Sequence, residues 1–191
     1  METHDILKLL IGTKQRFSIR KLSQLRKINY KSAYNAVMKL AQQKLIIIEK
    51  LGNTNLCSFN NNFNPLVFAV EYERRADLIK DKNFKVLYST LKEIQLSFIT
   101  LLFGSFAKTT ATKQSDIDLL IISEKNTEIE QVLLLIPLDI HPTIISHKDF
   151  IAMAKSREFS VVSEAMKKNI ILTGIEDYYQ LLENVGCKKK E

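Results

Sequence analysis

The chain has 191 residues, of which 46% are hydrophobic, and a formal net charge of +7. This size suits one large or two small soluble domains, and the longest apolar stretch, at 132–140, is too short for a membrane span and contains Pro and Asp. Cys57 and Cys187 match no metal-binding spacing, so we expect reduced thiols in a cytoplasmic protein with no membrane partner.

The excess positive charge lies in the first third of the chain. Residues 1–60 hold eleven Lys/Arg and three Asp/Glu, a net charge of +8. Residues 61–191 hold seventeen Lys/Arg and eighteen Asp/Glu, a net charge of −1. This asymmetry predicts that the N-terminal part meets a polyanion and that the rest of the chain does something else.

Three short helices and a hairpin are predicted in the N-terminal part. Apolar residues recur at helical spacing over 3–12, 18–27 and 29–43. Ser18 and Asn29 are suitable N-cap residues for the second and third helices. The β-branched segment 45–50, the turn-rich LGNTN and the following LCSF predict a two-stranded hairpin.

This order of helix, helix, helix and hairpin resembles a winged helix-turn-helix domain. In such domains the third helix enters the DNA major groove and the hairpin forms the wing. The third helix is expected to turn outward four residues whose types suit phosphate and base-edge contacts: Lys31, Ser32, Asn35 and Lys39. A small helical protein-interaction domain with the same solvated face is the alternative.

A break rich in Asn follows, and Pro65 suits the first turn of a linker helix over 65–81, whose ERR run is expected to form a solvated face. From about residue 84 the pattern becomes α/β. Helices are predicted over 84–95, 127–135, 159–168 and 176–184, with another after Ser146. Strands are predicted over 97–103, 117–123 and 137–146.

Three aspartates stand on the second and third of these strands. Asp116 and Asp118 are two residues apart, so they can project from one strand face and share a cation such as Mg²⁺. Asp139 lies between two apolar residues, and a lone Asp inside an apolar strand is costly unless it is paired or coordinates a cation. If the two strands are neighbours, the three carboxylates can hold two metal ions. His141 shares a strand face with Asp139 and could reach the site or serve as a structural histidine.

A Gly-Ser turn follows the first strand. Gly104 lets the backbone approach a ligand closely, and Ser105 offers a hydroxyl and a backbone N–H at a predicted helix start. Lys108 adds a positive charge beside this turn. A phosphate-binding turn is thus joined by a short loop to a metal-binding strand. Such a pair would bind a nucleoside triphosphate through its phosphates and Mg²⁺.

The segment LLFGSFAKTTATKQSDIDLLII, with LDIH further on, resembles the nucleotidyltransferase superfamily of DNA polymerase beta. More closely, it is similar to the minimal nucleotidyltransferases of bacteria and archaea, as in an archaeal protein fused to a winged helix. The resemblance implies an enzyme that transfers AMP from ATP, or another nucleoside monophosphate, to an acceptor hydroxyl. The resemblance also implies that Gly104 and Ser105 bind the triphosphate. Asp116 and Asp118 would bind the metal ions. Asp139 would bind the catalytic metal and help to activate the acceptor.

The expected fold class is therefore α/β (α+β). It comprises a DNA-binding winged helix-turn-helix domain over 1–62, a linker helix over 63–82 and a nucleotidyltransferase domain over 83–191. The last domain is expected to have a small mixed sheet flanked by helices. For the minimal subfamily the resemblance further implies a partner toxin of the HEPN type, inactivated by AMP transfer, and an antitoxin that binds its own promoter.

One departure from the family loop motivates an alternative. Thr109 takes the place of a Gly that commonly follows GSxAR or GSxAK. Because Thr disfavours a positive φ, the loop is expected either to take another path or to bind phosphate more weakly. The first alternative function is thus a catalytically inactive DNA-binding regulator that only binds nucleotide. The second is a small-molecule nucleotidyltransferase similar to the aminoglycoside enzymes.

Overall fold

A computed structural model describes the chain over residues 2–112, 115–156 and 158–186. The chain divides into two units, Met1–Val70 and Glu71–Glu191. No helix in the described ranges is long and apolar enough to cross a membrane. Cys57 is a buried free thiol, and burial raises its pKa to about 11, whereas Cys187 lies outside the described residues.

The N-terminal unit consists of three helices and a small antiparallel sheet. The helices are α1 (Glu2–Thr13), α2 (Ile19–Arg26) and α3 (Tyr30–Gln42). The strands are β1 (Phe17–Ser18), β2 (Ile46–Leu51) and β3 (Thr54–Phe59), in the order β1-β3-β2. The predicted caps are present, because the Ser18 side chain accepts from the Lys21 N–H and the Asn29 side chain accepts from the Ser32 N–H. The two-residue strand β1 was not predicted, because a pairing this short leaves no periodic pattern.

Small and branched apolar residues form the core of this unit. One side of α1 is fully buried, with Ile6, Leu10 and Ile11 at 0% exposure. Ala33 and Val37 on α3 are equally buried, and α1 packs against α3 there. The outer face of α3 therefore stays available for contacts with other molecules.

The C-terminal unit is built on a four-stranded mixed sheet. Its strands are β4 (Ile99–Leu102), β5 (Ile117–Ile122), β6 (Ile140–Ile145) and β7 (Ile170–Thr173), in the order β6-β5-β4-β7. β5 pairs with β6 in parallel, and the other two pairings are antiparallel. The helix α4 (Pro65–Leu78) contains the boundary between the units. The remaining helices are α5 (Lys82–Glu93), α6 (Gly104–Lys108), α7 (Thr127–Leu134), α8 (His147–Lys155), α9 (Val161–Lys167) and α10 (Ile175–Gly186).

The central strand β5 is apolar along most of its length. The segment Leu119–Ile122 is 0% exposed, as expected of a strand that is covered on both faces. β5 lies between β4 and β6, so its N-terminal end adjoins the end of one strand and the start of another. This position brings the polar residues around 116–118 next to two other segments of the chain.

In this unit one predicted strand boundary was wrong and one strand was missed. The third predicted strand, 137–146, begins only at Ile140, because Pro137 has no N–H and the preceding segment forms turns. β7 was not predicted at all, since a four-residue apolar run without alternation cannot be told from a loop or a buried helix. As a result Asp139 precedes its strand instead of lying inside it.

The ERR run in α4 was expected to be a solvated face, and this is wrong for Arg74. Its guanidinium pairs with Glu71, which is only 1% exposed, and donates to the Asn169 carbonyl oxygen. The Tyr179 hydroxyl donates to the same Glu71 carboxylate at 2.8 Å. A buried charge is tolerated when it is paired and hydrogen-bonded, so this network fastens the second half of α4 to α10.

Candidate active site

Four polar side chains lie on one face of the sheet where β5 and β6 begin. The parallel register pairs Asp118 with His141. Just before this pair, the Ile117 N–H donates to the Asp139 carbonyl oxygen at 2.8 Å. Residues two apart along a strand project to the same face. The residues brought to that face are Asp116, Asp118, Asp139 and His141.

The His141 imidazole lies between two carboxylates. Its Nδ1 is 3.7 Å from Asp116 Oδ2, and its Nε2 is 3.5 Å from Asp139 Oδ1. One ligand atom from each of these three residues lies within 4.8 Å of the other two. Carboxylate oxygens suit Mg²⁺ or Mn²⁺, and an imidazole adds affinity for transition metals. The donor set therefore fits a divalent cation, without selecting Mg²⁺ among them.

Asp139 was singled out for a reason that the structure contradicts. It was expected to lie inside an apolar strand, but it precedes β6 and its side chain is 75% exposed. Its side chain is exposed at a position where the chain has not yet entered β6. Its proximity to His141, and through His141 to Asp116, is what marks it as a candidate metal ligand.

The Gly-Ser turn packs directly against Asp118. Gly104 has a φ of +66°, and a Cβ built on it would lie 1.9 Å from Asp118 Oδ2. The Phe103 N–H donates to the Asp118 carbonyl oxygen at 3.1 Å, which holds the two segments together. Only glycine satisfies both the backbone conformation and this close approach. The turn predicted to bind phosphate and the predicted metal ligand Asp118 are thus adjacent.

Burial raises the pKa of the Asp118 carboxyl. The neighbouring carboxylates of Asp116 and Glu164 raise this pKa further, whereas His141 and Lys108 lower it. Desolvation and like charges both disfavour the ionised form. A bound cation would offset both effects. The idea that Asp116 and Asp118 share one ion stays a prediction, since the three-residue group contains Asp116 with Asp139 and His141.

The residues around the turn have partners that the sequence did not predict. Ser105 lies in the five-residue helix α6, and its carbonyl oxygen accepts from the Thr110 N–H at 3.0 Å. The Lys108 ammonium, expected to contact phosphate, is 2.7 Å from Glu164 Oε1. Glu164 lies on α9, far along the chain, and no local pattern singled it out.

Thr109 adopts the conformation that its side chain disfavours. It has φ 59° and ψ 30°, in the left-handed region, and caps α6 by donating its N–H to the Phe106 carbonyl oxygen at 3.2 Å. The expectation that Thr would divert the loop is therefore wrong at this residue. The turn is kept at a cost of about 1–2 kcal/mol relative to a right-handed conformation. The other expectation, weaker phosphate binding, stays a prediction.

The outer face of α3 carries the residues predicted to contact DNA, together with an apolar stripe. Lys31, Asn35 and Lys39 are exposed, whereas Ser32 is half-buried at the helix start. Tyr30, Tyr34 and Met38 are also exposed, and their spacing of four residues places them on one side of the helix. This stripe was not predicted, because only the polar residues of α3 were considered as candidate contacts.

A surface cavity of about 380 Å³ adjoins the start of α3. It lies between the start of α2 and the β2–β3 turn and is lined by Ser18, Ile19, Arg20, Tyr30, Asn53, Thr54 and Asn55. Its lining combines hydrogen-bonding groups with one arginine, which are the residue types that contact phosphate and sugar.

Comparison with known proteins found a family match within the C-terminal unit. Residues 85–177 match the family described as Polymerase beta, Nucleotidyltransferase. The matched span runs from α5 into α10 and contains both the Gly104 turn and the aspartates at the starts of β5 and β6. It supports assignment of this part of the chain to the polymerase beta-like superfamily. No curated protein and no solved structure matched the chain.

Gly104→Ala is expected to lower the free energy of urea unfolding by about 2–3 kcal/mol. About half arises from the left-handed backbone and the rest from displacement of Asp118 by the new Cβ. In an Asp118→Ala background the same substitution should cost only about 1 kcal/mol, because the clashing oxygen is gone. An equal cost in both backgrounds would contradict the close packing of these two residues.

Thr109→Gly is expected to raise the free energy of unfolding by about 1 kcal/mol, because glycine adopts the left-handed region without strain. Thr110→Gly provides the matched control. Thr110 does not have a positive φ, so glycine there only adds freedom to the unfolded chain and should lower stability. The measurement is urea unfolding followed by circular dichroism, and a destabilised Thr109→Gly protein would refute the argument.

Proposed function

We propose that the C-terminal unit is a divalent-metal-dependent nucleotidyltransferase, with AMP transfer from ATP to an acceptor hydroxyl as its reaction. The observation that carries the proposal is the packing of the Gly104 turn against Asp118, at the edge where Asp116, Asp139 and His141 converge. The match of residues 85–177 to a nucleotidyltransferase family supports the same chemistry. The intact set of carboxylates favours an active enzyme over an inactive nucleotide-binding regulator.

In this proposal Asp116, Asp118 and Asp139 hold Mg²⁺, with His141 beside them. When bound, the metal would neutralise charge on the phosphates and on the attacking oxygen. The Gly104 turn lets phosphate oxygens approach the backbone, and Ser105 is the candidate hydroxyl donor to them. Thr109 ends α6 in the left-handed conformation that a glycine would adopt there, so the residue that departs from the family loop keeps that backbone geometry.

In the proposed reaction the acceptor hydroxyl would lie at the exposed edge of the site. The acceptor oxygen forms a bond to the α-phosphorus while the bond to the β-phosphate oxygen breaks, and pyrophosphate leaves. The acceptor proton passes to Asp139 or to His141, whose side chains are 75% and 60% exposed. Their exposure favours an acceptor that approaches from solvent on that side.

An apolar cavity beside Asp139 favours a protein acceptor. The cavity has a volume of about 450 Å³ and is lined mainly by Leu133, Leu134, Ile136, Leu138, Ile140 and Pro142. Leu134 and Leu135 are 84% and 82% exposed at the end of α7. Exposed apolar residues beside a cavity are typical of protein contact sites, and an acidic, apolar surface suits a polyanionic acceptor poorly. A HEPN-type toxin, implied by the family resemblance, is the partner we would test first.

Incubation with α-labelled ATP, Mg²⁺ and a HEPN-type candidate partner is expected to label the partner. Asp116→Asn and Asp139→Asn should each reduce the rate at least about 100-fold, because each removes a charged ligand from the reacting centre. Glu128→Gln is the matched control, since it removes one negative charge from an exposed position on α7 and should leave labelling unchanged. Chelation of the metal should abolish labelling.

The outcomes of this assay separate the alternatives. ATP binding without transfer to any partner would favour the inactive regulator. Labelling of aminoglycosides instead of protein would favour the small-molecule enzyme. If wild type and the Asp116→Ala/Asp118→Ala double variant are indistinguishable with every nucleotide and acceptor, the enzymatic proposal is wrong.

For the N-terminal unit we propose DNA binding as a winged helix-turn-helix domain. The proposal rests on the helix order, on the sheet order β1-β3-β2 and on the net charge of +8 over residues 1–60. α3 would enter the major groove with Lys31, Asn35 and Lys39 on its exposed face. The stripe of Tyr30, Tyr34 and Met38 could contact thymine methyl groups, although it equally suits a protein partner.

Fluorescence anisotropy with promoter DNA is expected to show binding that weakens steeply with salt. Lys31→Ala and Lys39→Ala should each lower the affinity and reduce the slope of log K against log salt by about 1, because each removes a phosphate contact. Lys82→Ala, an exposed lysine at the start of α5, should leave both unchanged. No binding at low salt would rule out the DNA proposal and favour a protein-interaction domain.

A further inference from the structure

Glu164 lies beside the Gly-Ser turn although 56 residues separate it from its ion-pair partner in the sequence. Its Oε1 is 2.7 Å from the Lys108 Nζ at the end of α6. Both side chains are partly exposed, so the pair is accessible to a ligand that enters the turn. This carboxylate does not belong to the group of side chains proposed to hold the metal.

The structure holds Glu164 firmly in this position. A capping box fixes the start of α9, in which the Ser160 and Ser163 side chains each accept from the other residue's N–H, at 3.1 and 2.9 Å. Val162 and Ala165, on either side of Glu164, are 0% exposed. α9 and α6 both pack against β5, so the two helices that carry the ion-pair partners lie over the same strand.

The charges around the turn oppose a bare triphosphate. Glu164 and Asp116 both act on Asp118 as like charges, and Lys108 and His141 act as opposite charges. A triphosphate that contacts Lys108 must share its ammonium with Glu164 and must approach three carboxylates. A metal-bound triphosphate carries two fewer negative charges and meets less repulsion.

We propose that Glu164 is a specificity-determining residue that favours metal-bound over metal-free nucleoside triphosphate at the Gly104 turn. Glu164 does so in two ways. It forms an ion pair with the Lys108 ammonium, and it adds a negative charge next to the phosphate site. The proposal rests on the proposed function, because it assumes that this turn receives the triphosphate. Its consequence is that nucleotide enters together with the metal required for transfer.

The test is isothermal titration of the full chain with α,β-methylene-ATP, which cannot transfer its nucleotidyl group, in Mg²⁺ and in chelator. Inorganic triphosphate serves as a second probe, so that the phosphate site is measured apart from the base and sugar. In Glu164→Gln, metal-free binding should tighten about two- to fivefold, with a smaller change in the presence of Mg²⁺. The ratio of the two dissociation constants should therefore fall.

Two further variants make this result specific. Glu128→Gln removes a negative charge from an exposed position on α7 and should leave the ratio unchanged. In a Lys108→Met background the effect of Glu164→Gln should shrink, because the competition for the ammonium is already gone. A ratio that is unchanged or larger in Glu164→Gln overturns the proposal. If the wild-type chain binds neither probe, with or without Mg²⁺, the proposed function itself fails.

Discussion

The site depends on the contact between the Gly104 backbone and the Asp118 carboxylate. β4 and β5 are antiparallel neighbours with Leu102 opposite Leu119, so the residues after β4 face the residues that begin β5. The Gly-Ser turn and the paired aspartates therefore meet because the hairpin closes, whatever path the intervening loop takes. Glycine is needed where they meet, since no Cβ fits against the carboxylate.

The second constraint is the parallel pairing of β5 with β6, which adds residues from a distant part of the chain. It brings Asp139 and His141 to the face already occupied by Asp116 and Asp118. The concentration of carboxylates is balanced by His141 on one side and by Lys108 on the other. Glu164 modifies that balance by pairing with Lys108. The charged side chains of the site thus act together, and the proposed cation and polyanion would both bind within their combined field.

The sequence predicted the local parts of this arrangement and missed the distant ones. Gly104 and Asp118 could be predicted to be neighbours, because a hairpin loop connects them. Asp139 was chosen on the mistaken premise that it lies inside an apolar strand. Glu164 could not be found, because its relation to Lys108 depends on how α9 packs on the sheet and no local pattern encodes it. Thr109 shows the same limit, since its preference alone predicted either a diverted loop or weaker phosphate binding, whereas the residue adopts the left-handed cap of α6.

Pro142 in β6 limits the pairing of this sheet edge with a strand of another molecule. β6 is an edge strand of the sheet. The carbonyl oxygens of Asp139 and Ile145 accept hydrogen bonds from β5. Because successive residues direct their backbone groups to opposite sides of a strand, the backbone nitrogen of Pro142 lies on the open side of β6. A proline there interrupts the row of N–H donors that another strand would need, a common protection against edge-to-edge aggregation. The edge beside this cavity therefore resists extension into an intermolecular sheet, whether or not the cavity binds the proposed partner.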